Sequence, residues 1–182
     1  MNLPNKLTTL RVLLIPVFLV ILMNPMGMEE KMSCMLSTLI FCLASVTDWF
    51  DGYLARKMDL VTTFGKFMDP LADKLLVCSA MIALCDKKLL PAIVVIIIIA
   101  REFFITGFRT IAAEKKIIMS ASIWGKLKTT SQMIMIIILL LNIDTPFFKA
   151  IGNIFIWLSL LLTIVSAFDY VSKNIDVLRD KP

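Results

Sequence analysis

The sequence predicts an all-α, polytopic membrane protein: one domain over residues 1–182, with six transmembrane helices and both termini on the cytosolic side. Three observations carry this expectation. Hydrophobic residues make up 59% of the chain and the mean hydropathy is +0.87, more than a water-facing surface tolerates. The apolar residues gather into six stretches, most of them near the ~20 residues that a spanning helix needs. The basic residues collect on one side of those stretches.

The first stretch, Leu7 to Met23, follows basic residues as a signal peptide would. The segment "VILMNPMGMEE" offers no small-residue cleavage site, so the stretch reads as a retained span. The second runs from Cys34 to Phe50, and the third, Leu71 to Leu84, is the weakest. The fourth (Leu89 to Phe108) contains "PAIVVIIIIA" and the fifth (Leu127 to Ile143) contains "IMIIILLLN". Neither leaves a polar face for water, which argues against buried helices of a soluble protein. The sixth runs from Phe147 to Phe168, and an even number of spans returns the carboxyl terminus to the side of the amino terminus.

Loop charge orients the bundle. With the amino terminus inside, the cytosolic segments hold Lys6, Arg11, Arg56, Lys57, Lys66, Arg101, Arg109, Lys115, Lys116, Lys126, Lys128, Lys173, Arg179 and Lys181. The outer loops hold Lys31, Lys87, Lys88 and Lys149, so positive charge is strongly biased inward. The net charge of +5 is thereby explained by topology and contact with anionic lipid, and a nucleic-acid partner is not implied. The spacings of Cys34, Cys42, Cys78 and Cys85 fit no metal motif, and these residues read as small packing groups. Histidine is absent, so acid/base or metal chemistry must run through carboxylates or lysine. No Gly/Ser/Pro linker and no internal repeat divides the chain.

Against this background "TDWFDGYLARKMDLVTTFGKFMDPLADK", Thr47 to Lys74, keeps four aspartates in apolar surroundings. If the second helix continues past Asp48, then Asp48, Asp51, Gly52 and Ala55 fall within a stripe about 100° wide. Asp69 and Asp73 are one turn apart on the next helix, where Pro70 suits a first turn and Asp69 an N-cap. Two ionised carboxylates ~5.5 Å apart repel by about 3 kcal/mol at an effective dielectric near 20, so something must compensate. An ion-pair cluster with Arg56, Lys57, Lys66 and Lys74 is the structural alternative. Arg56 lies about 80° around the helix from Asp48, and Lys74 faces elsewhere than its neighbour Asp73. Divalent cations fit better: an all-oxygen aspartate set suits Mg²⁺ or Mn²⁺, and two such ions form a clamp for displacement at phosphorus. The glycines leave room for a ligand to approach the backbone.

The pattern Asp48-x2-Asp51-Gly52-x2-Ala55-Arg56-x8-Gly65-x3-Asp69-x3-Asp73 resembles, at every fixed position, the signature of the CDP-alcohol phosphatidyltransferases. The resemblance implies a six-helix membrane enzyme over the whole chain, in which two metal ions sit on the pyrophosphate of a CDP-linked lipid and CMP is released. It implies Asp48, Asp51 and Asp69 as metal ligands. Asp73 takes the role of the base that deprotonates the acceptor hydroxyl, and is counted with the metal ligands. Gly52, Ala55 and Gly65 would border the cytidine and phosphates, and Arg56 would steady a phosphate or the aspartate cluster. The lack of histidine supports Asp73 as the proton's destination.

A second cluster, "AREFFITGFRT", places Arg101, Glu102 and Arg109 at the end of the fourth stretch, followed by Lys126 and Lys128 in "WGKLKTTSQ". Snorkelling accounts for Lys115, Lys116 and Lys128. Arg101 and Arg109 share a helix face and suit a phosphate-bearing acceptor, with Lys126 beside them. Within the family, "REFFITGFR", "WGKLKT" and "NLPNKLTTLR" are similar to bacterial phosphatidylglycerophosphate synthases. That similarity implies CDP-diacylglycerol and sn-glycerol 3-phosphate as substrates, the bacterial cytoplasmic membrane as location, an active site facing the cytosol, and a homodimer. Asn5 and Thr8 fit either the nucleotide side of the donor site or helix capping. Serine, inositol phosphate or phosphatidylglycerol are the rival acceptors under the same signature. An ion-coupled transporter is a more distant alternative, because intramembrane carboxylates also line ion pathways, though this chain shows no repeated halves. A non-catalytic scaffold is the third. For Asp169, near the carboxyl end, a salt bridge or simple exposure is expected.

Overall fold

The computed structural model describes residues 3–24, 27–57, 63–115 and 122–174; for residues 3–7, 48–57, 63–67, 69 and 70 it describes the backbone only. The described chain is all-helical: α1 (Leu3–Met23), α2 (Glu30–Lys57), α3 (Thr63–Asp86), α4 (Ala92–Glu114), α5 (Ile123–Leu141) and α6 (Pro146–Lys173). The six elements coincide with the six apolar stretches. Three of them are long and apolar enough to cross a membrane: α2 over Glu30–Thr47, α5 and α6. The apolar part of α1, Thr8–Met23, is shorter. Arg101, Glu102 and Arg109 interrupt the apolar run of α4.

Two expectations about the third helix change. α3 starts at Thr63, so Pro70 lies within the helix and Asp69 is not its N-cap. A proline needs a helical φ and lacks only the N–H, so the turn before it can still be helical at the loss of one backbone bond. The fourth helix starts at Ala92, with Pro91 in extended conformation at its N-cap (φ −63°, ψ 133°), so Leu89 and Leu90 precede it.

Many large apolar side chains face outward, and several small polar ones are buried beside the apolar core. Leu13, Ile96, Phe103, Phe147, Trp157 and Phe168 are each more than 60% exposed, while Ser33, Ser37, Ser159, Thr163 and Ser166 are buried. That arrangement suits a lipid solvent. There, helices associate through close packing and side-chain hydrogen bonds, because lipid tails are as apolar as leucine.

The helices form two compact units: residues 1–89 with 136–143, and residues 90–135 with 144–182. In the first, α1 packs on α2 and α3. The buried stripe of α1 is Thr8, Arg11, Ile15, Phe18 and Leu22, the alternating three and four spacing of one helix face. Ser33 Oγ donates to the Ile21 carbonyl at 2.6 Å, and the rings of Phe18 and Phe41 lie 6.0 Å apart. These contacts run α1 and α2 antiparallel. The turn between them is closed by Asn24, in the left-handed region (φ 50°). Its side chain donates to the Met28 carbonyl at 2.6 Å and accepts from Met28 N–H at 2.8 Å. Ala72, Ala80 and Ala83 on α3 are buried, where small side chains let backbones approach.

In the second unit α4 packs on α6. The buried face of α6 is Gly152, Ile156, Ser159, Thr163, Ser166 and Tyr170. Thr145 caps α6 by accepting from Phe148 N–H at 3.4 Å, with Pro146 at the first position. Ser131 and Ser159 are hydrogen-bonded at 2.9 Å, and Ser166 Oγ donates to the Thr163 carbonyl at 3.0 Å.

Candidate functional site

The aspartate signature lies on two helices of the first unit. α2 is continuous to Lys57, so the condition for the stripe is met: the backbone is helical through Asp48, Asp51, Gly52 and Ala55. The described buried positions of α2, Cys34, Ser37, Phe41 and Ala44, continue in helical register to Asp48 and then Asp51 and Gly52. On α3 the buried positions Ala80, Leu76 and Ala72 continue backward in the same register to Asp69 and Gly65. Each pair of aspartates therefore spans about one turn of its helix, roughly 4.5 to 6 Å of rise. This register and the all-carboxylate donor set fit hard divalent cations. The side chains of Asp48, Asp51, Gly52, Ala55, Arg56, Gly65, Asp69 and Asn5 lie outside the described residues. Asp73 is described; it is half-buried and partnered. Among the described residues no three His, Cys, Asp or Glu side chains stand together.

α1 contributes Thr8, named from sequence, and Arg11, which sequence reasoning counted only as a cytosolic charge. Thr8 is 1% exposed and Arg11 0%, and both are partnered. Extended at equal rise from the Ile21–Ser33 and Phe18–Phe41 contacts, the antiparallel pair brings Thr8 and Arg11 level with residues 43–51 of α2. A buried guanidinium thus sits on the stretch of α1 that runs alongside the α2 segment leading to Asp48, where a loop cation was expected. The signal was present in the spacing: positions 8 and 11 continue the stripe of Ile15, Phe18 and Leu22.

The basic cluster lies in the second unit, where the structure separates its members. Arg101 belongs to the buried face of α4, between Ile98 and Ile105. Its Nη1 donates to Glu102 at 3.0 Å and its Nη2 to Ser166 Oγ at 3.0 Å. Arg109, two turns on, is exposed; its Nε donates to Tyr170 Oη at 2.7 Å, and its guanidinium carbon lies 5.3 Å from that ring's centroid. Lys126 is exposed.

Lys128 does not snorkel. It is 3% exposed and its Nζ pairs with Glu102 Oε1, because a buried ammonium needs a counter-charge. Glu102 was named with the cluster but not as a counter-charge, and Ser166 and Tyr170 were not singled out from sequence. The two on α6 stand in its regular buried spacing, which is the one signal that would have found them. Lys116 lies outside the described residues, and Lys115 is exposed. Asp169 makes the expected salt bridge, with Lys173 at 2.6 Å, and also accepts from Ser122 Oγ.

Comparison with known proteins agrees with the pattern of residues. The profile of the CDP-alcohol phosphatidyltransferase family matches residues 1–165. A Bacillus subtilis (strain 168) protein named CDP-diacylglycerol–glycerol-3-phosphate 3-phosphatidyltransferase is 42% identical, covering 98% of this chain and 97% of its own length. Proteins of the same name from Rickettsia typhi (41% identical, 93% of this chain and 94% of their length) and Salmonella paratyphi A (39%, 94% and 93%) align equally fully. With its signature on α2 and α3 and relatives matched end to end, the chain belongs to the CDP-alcohol phosphatidyltransferase family.

Proposed function

We propose that this enzyme transfers the phosphatidyl group of CDP-diacylglycerol to sn-glycerol 3-phosphate, giving phosphatidylglycerophosphate and CMP. The observation that carries the reading is the shared name of relatives about 40% identical over nearly their whole length. We also assign all six helices to the membrane as one catalytic domain, with both termini and the active site on the cytosolic side. The inward bias of Lys and Arg supports this orientation. The exposed apolar faces of α4 and α6 are compatible with a homodimer.

Asp48, Asp51, Asp69 and Asp73 are the residues that would hold two Mg²⁺ or Mn²⁺ ions. When bound, such ions supply neutralisation of the charge that gathers on the pyrophosphate and the leaving CMP. The chain's own part begins with Asp73, whose carboxylate accepts the proton of the acceptor hydroxyl. The freed oxygen attacks the lipid-side phosphorus, the bond to the CMP oxygen breaks, and CMP leaves with that electron pair. Gly52, Ala55 and Gly65 border the cytidine and phosphates, and Asn5 and Thr8 line the nucleotide side. Arg56 steadies a phosphate. Arg109 and Lys126 bind the acceptor's phosphate, for which the exposed guanidinium of Arg109 suits bidentate contact, while Arg101, expected from sequence to join them, is engaged by Glu102 and Ser166 and orders the cluster.

The test is CMP release by purified protein with CDP-diacylglycerol and Mg²⁺, offered sn-glycerol 3-phosphate, serine, inositol phosphate or phosphatidylglycerol. Release with the first acceptor alone is expected. Asp73→Asn should lower it about a thousandfold with no change in the unfolding midpoint. Equal rates with another acceptor would replace the assignment, and a fully active Asp73→Asn would remove the base.

A further inference from the structure

The two arginines of the acceptor cluster are held in opposite ways. Arg101 is closed: its side chain is 12% exposed, with one terminal nitrogen on Glu102 and the other on Ser166. Arg109 is open. Its Nε is engaged by Tyr170, and among the described residues its two Nη atoms have no hydrogen-bond partner.

The seat beneath it is rigid. Tyr170 is 3% exposed and shares a buried cluster with Ile105, Phe108 and Ala112. The Phe108 ring meets it edge-on, with centroids 6.2 Å apart. A solvent-exposed arginine normally samples many rotamers and loses that freedom when it captures an anion. Here one hydrogen bond to Nε and one ring face fix the plane of the guanidinium before any anion arrives, and the paired Nη donors stay open for a phosphate.

We propose that Tyr170 is a positioning residue for the acceptor: it sets the Arg109 fork that takes the phosphate of the acceptor alcohol. This rests on the reading of Arg109 as a phosphate-binding residue. Tyr170 itself touches no substrate in this account, and its hydroxyl acts through Arg109. The loss of that hydroxyl is therefore felt in acceptor binding and not in the chemical step.

Steady-state kinetics on the full chain in detergent with CDP-diacylglycerol test this with Tyr170→Phe, which keeps the buried ring and removes the hydrogen bond. The expected result is a KM for sn-glycerol 3-phosphate raised about fivefold, with kcat and the KM for CDP-diacylglycerol changed by less than about twofold. In an Arg109→Ala background, where the KM is already higher, Tyr170→Phe should add nothing. The rise in unfolding midpoint on adding sn-glycerol 3-phosphate should shrink in Tyr170→Phe, a readout independent of turnover. If Arg109→Ala raises the acceptor KM and Tyr170→Phe leaves it unchanged, the positioning role is lost and the acceptor assignment stands. If Arg109→Ala leaves that KM unchanged, the acceptor assignment itself is lost. A fall in kcat with both KM values disturbed would make Tyr170 a packing residue and overturn the proposal.

Discussion

The α1–α3 unit and the α4–α6 unit both bury positive charge, but they balance it by different means. In the second unit Lys128 and Arg101 share one counter-charge, Glu102, which pairs with both, and Ser166 takes the remaining Arg101 nitrogen. These contacts join α4 to α5 and α6. In the first unit the buried cation among the described residues is Arg11, alongside the α2 segment leading to Asp48. Positions Asp48, Asp51, Asp69 and Asp73 lie on α2 and α3 of the same unit, and under the proposed function bound dications would balance them. The contrast lies in what each unit offers a ligand: under the proposed function the second would present one open fork, Arg109, and the first would hold the dications and the pyrophosphate.

The sharpest way to break this contrast is Arg11→Met. Removing a guanidinium that is 0% exposed and partnered disturbs the polar groups packed against it, and a loss of about 3 kcal/mol is expected, read as a lower unfolding midpoint in detergent. An unchanged midpoint would take Arg11 out of the charge balance of the first unit. A comparable effect is expected of Glu102→Gln, about 3 kcal/mol, because it removes the carboxylate that Lys128 and Arg101 share. Combining it with Lys128→Met should recover part of that loss, Arg101 still lacking its carboxylate, and strict additivity of the two changes would mean that Glu102 and Lys128 are not coupled.

The smallest effect belongs to Asp144 and Lys149, paired at 2.6 Å with side chains 89% and 68% exposed. The hydrogen bond from Lys149, then its charge, holds the Asp144 carboxyl below its ordinary value. Because the folded-state value is the lower one, any stability this adds is present above the ordinary carboxylate range and fades as pH falls through the folded value. Water screens so exposed a pair, so Asp144→Asn should leave the pH profile of the unfolding midpoint superimposable on that of the parent chain. A visible difference would show that surface pairs also count here.

Much of the candidate site was legible before folding. The aspartate spacing 48, 51, 69 and 73 is a helical pattern that needs only two helices to make sense. The Arg101, Glu102, Arg109 cluster was conspicuous because charge is rare after a run such as "IVVIIIIA". Lys128 was misread because an isolated lysine at the start of an apolar stretch usually reaches for water, and its partner Glu102 lies 26 residues away. Arg11 was read as a loop cation because sequence distance from the terminus does not show how deep a helix begins.

The sequence by itself determined six helical segments, the gathering of basic residues between alternate apolar stretches and the two carboxylate registers, since each follows from local periodicity and from the cost of placing charge in lipid. The tertiary structure alone decided which cations are closed and which are open. Arg101 and Arg109 stand on one helix in one motif, yet Glu102 and Ser166 occupy the first while Tyr170 leaves the donors of the second free. That difference comes from residues of α6 more than sixty positions away in sequence, and only packing brings them to α4.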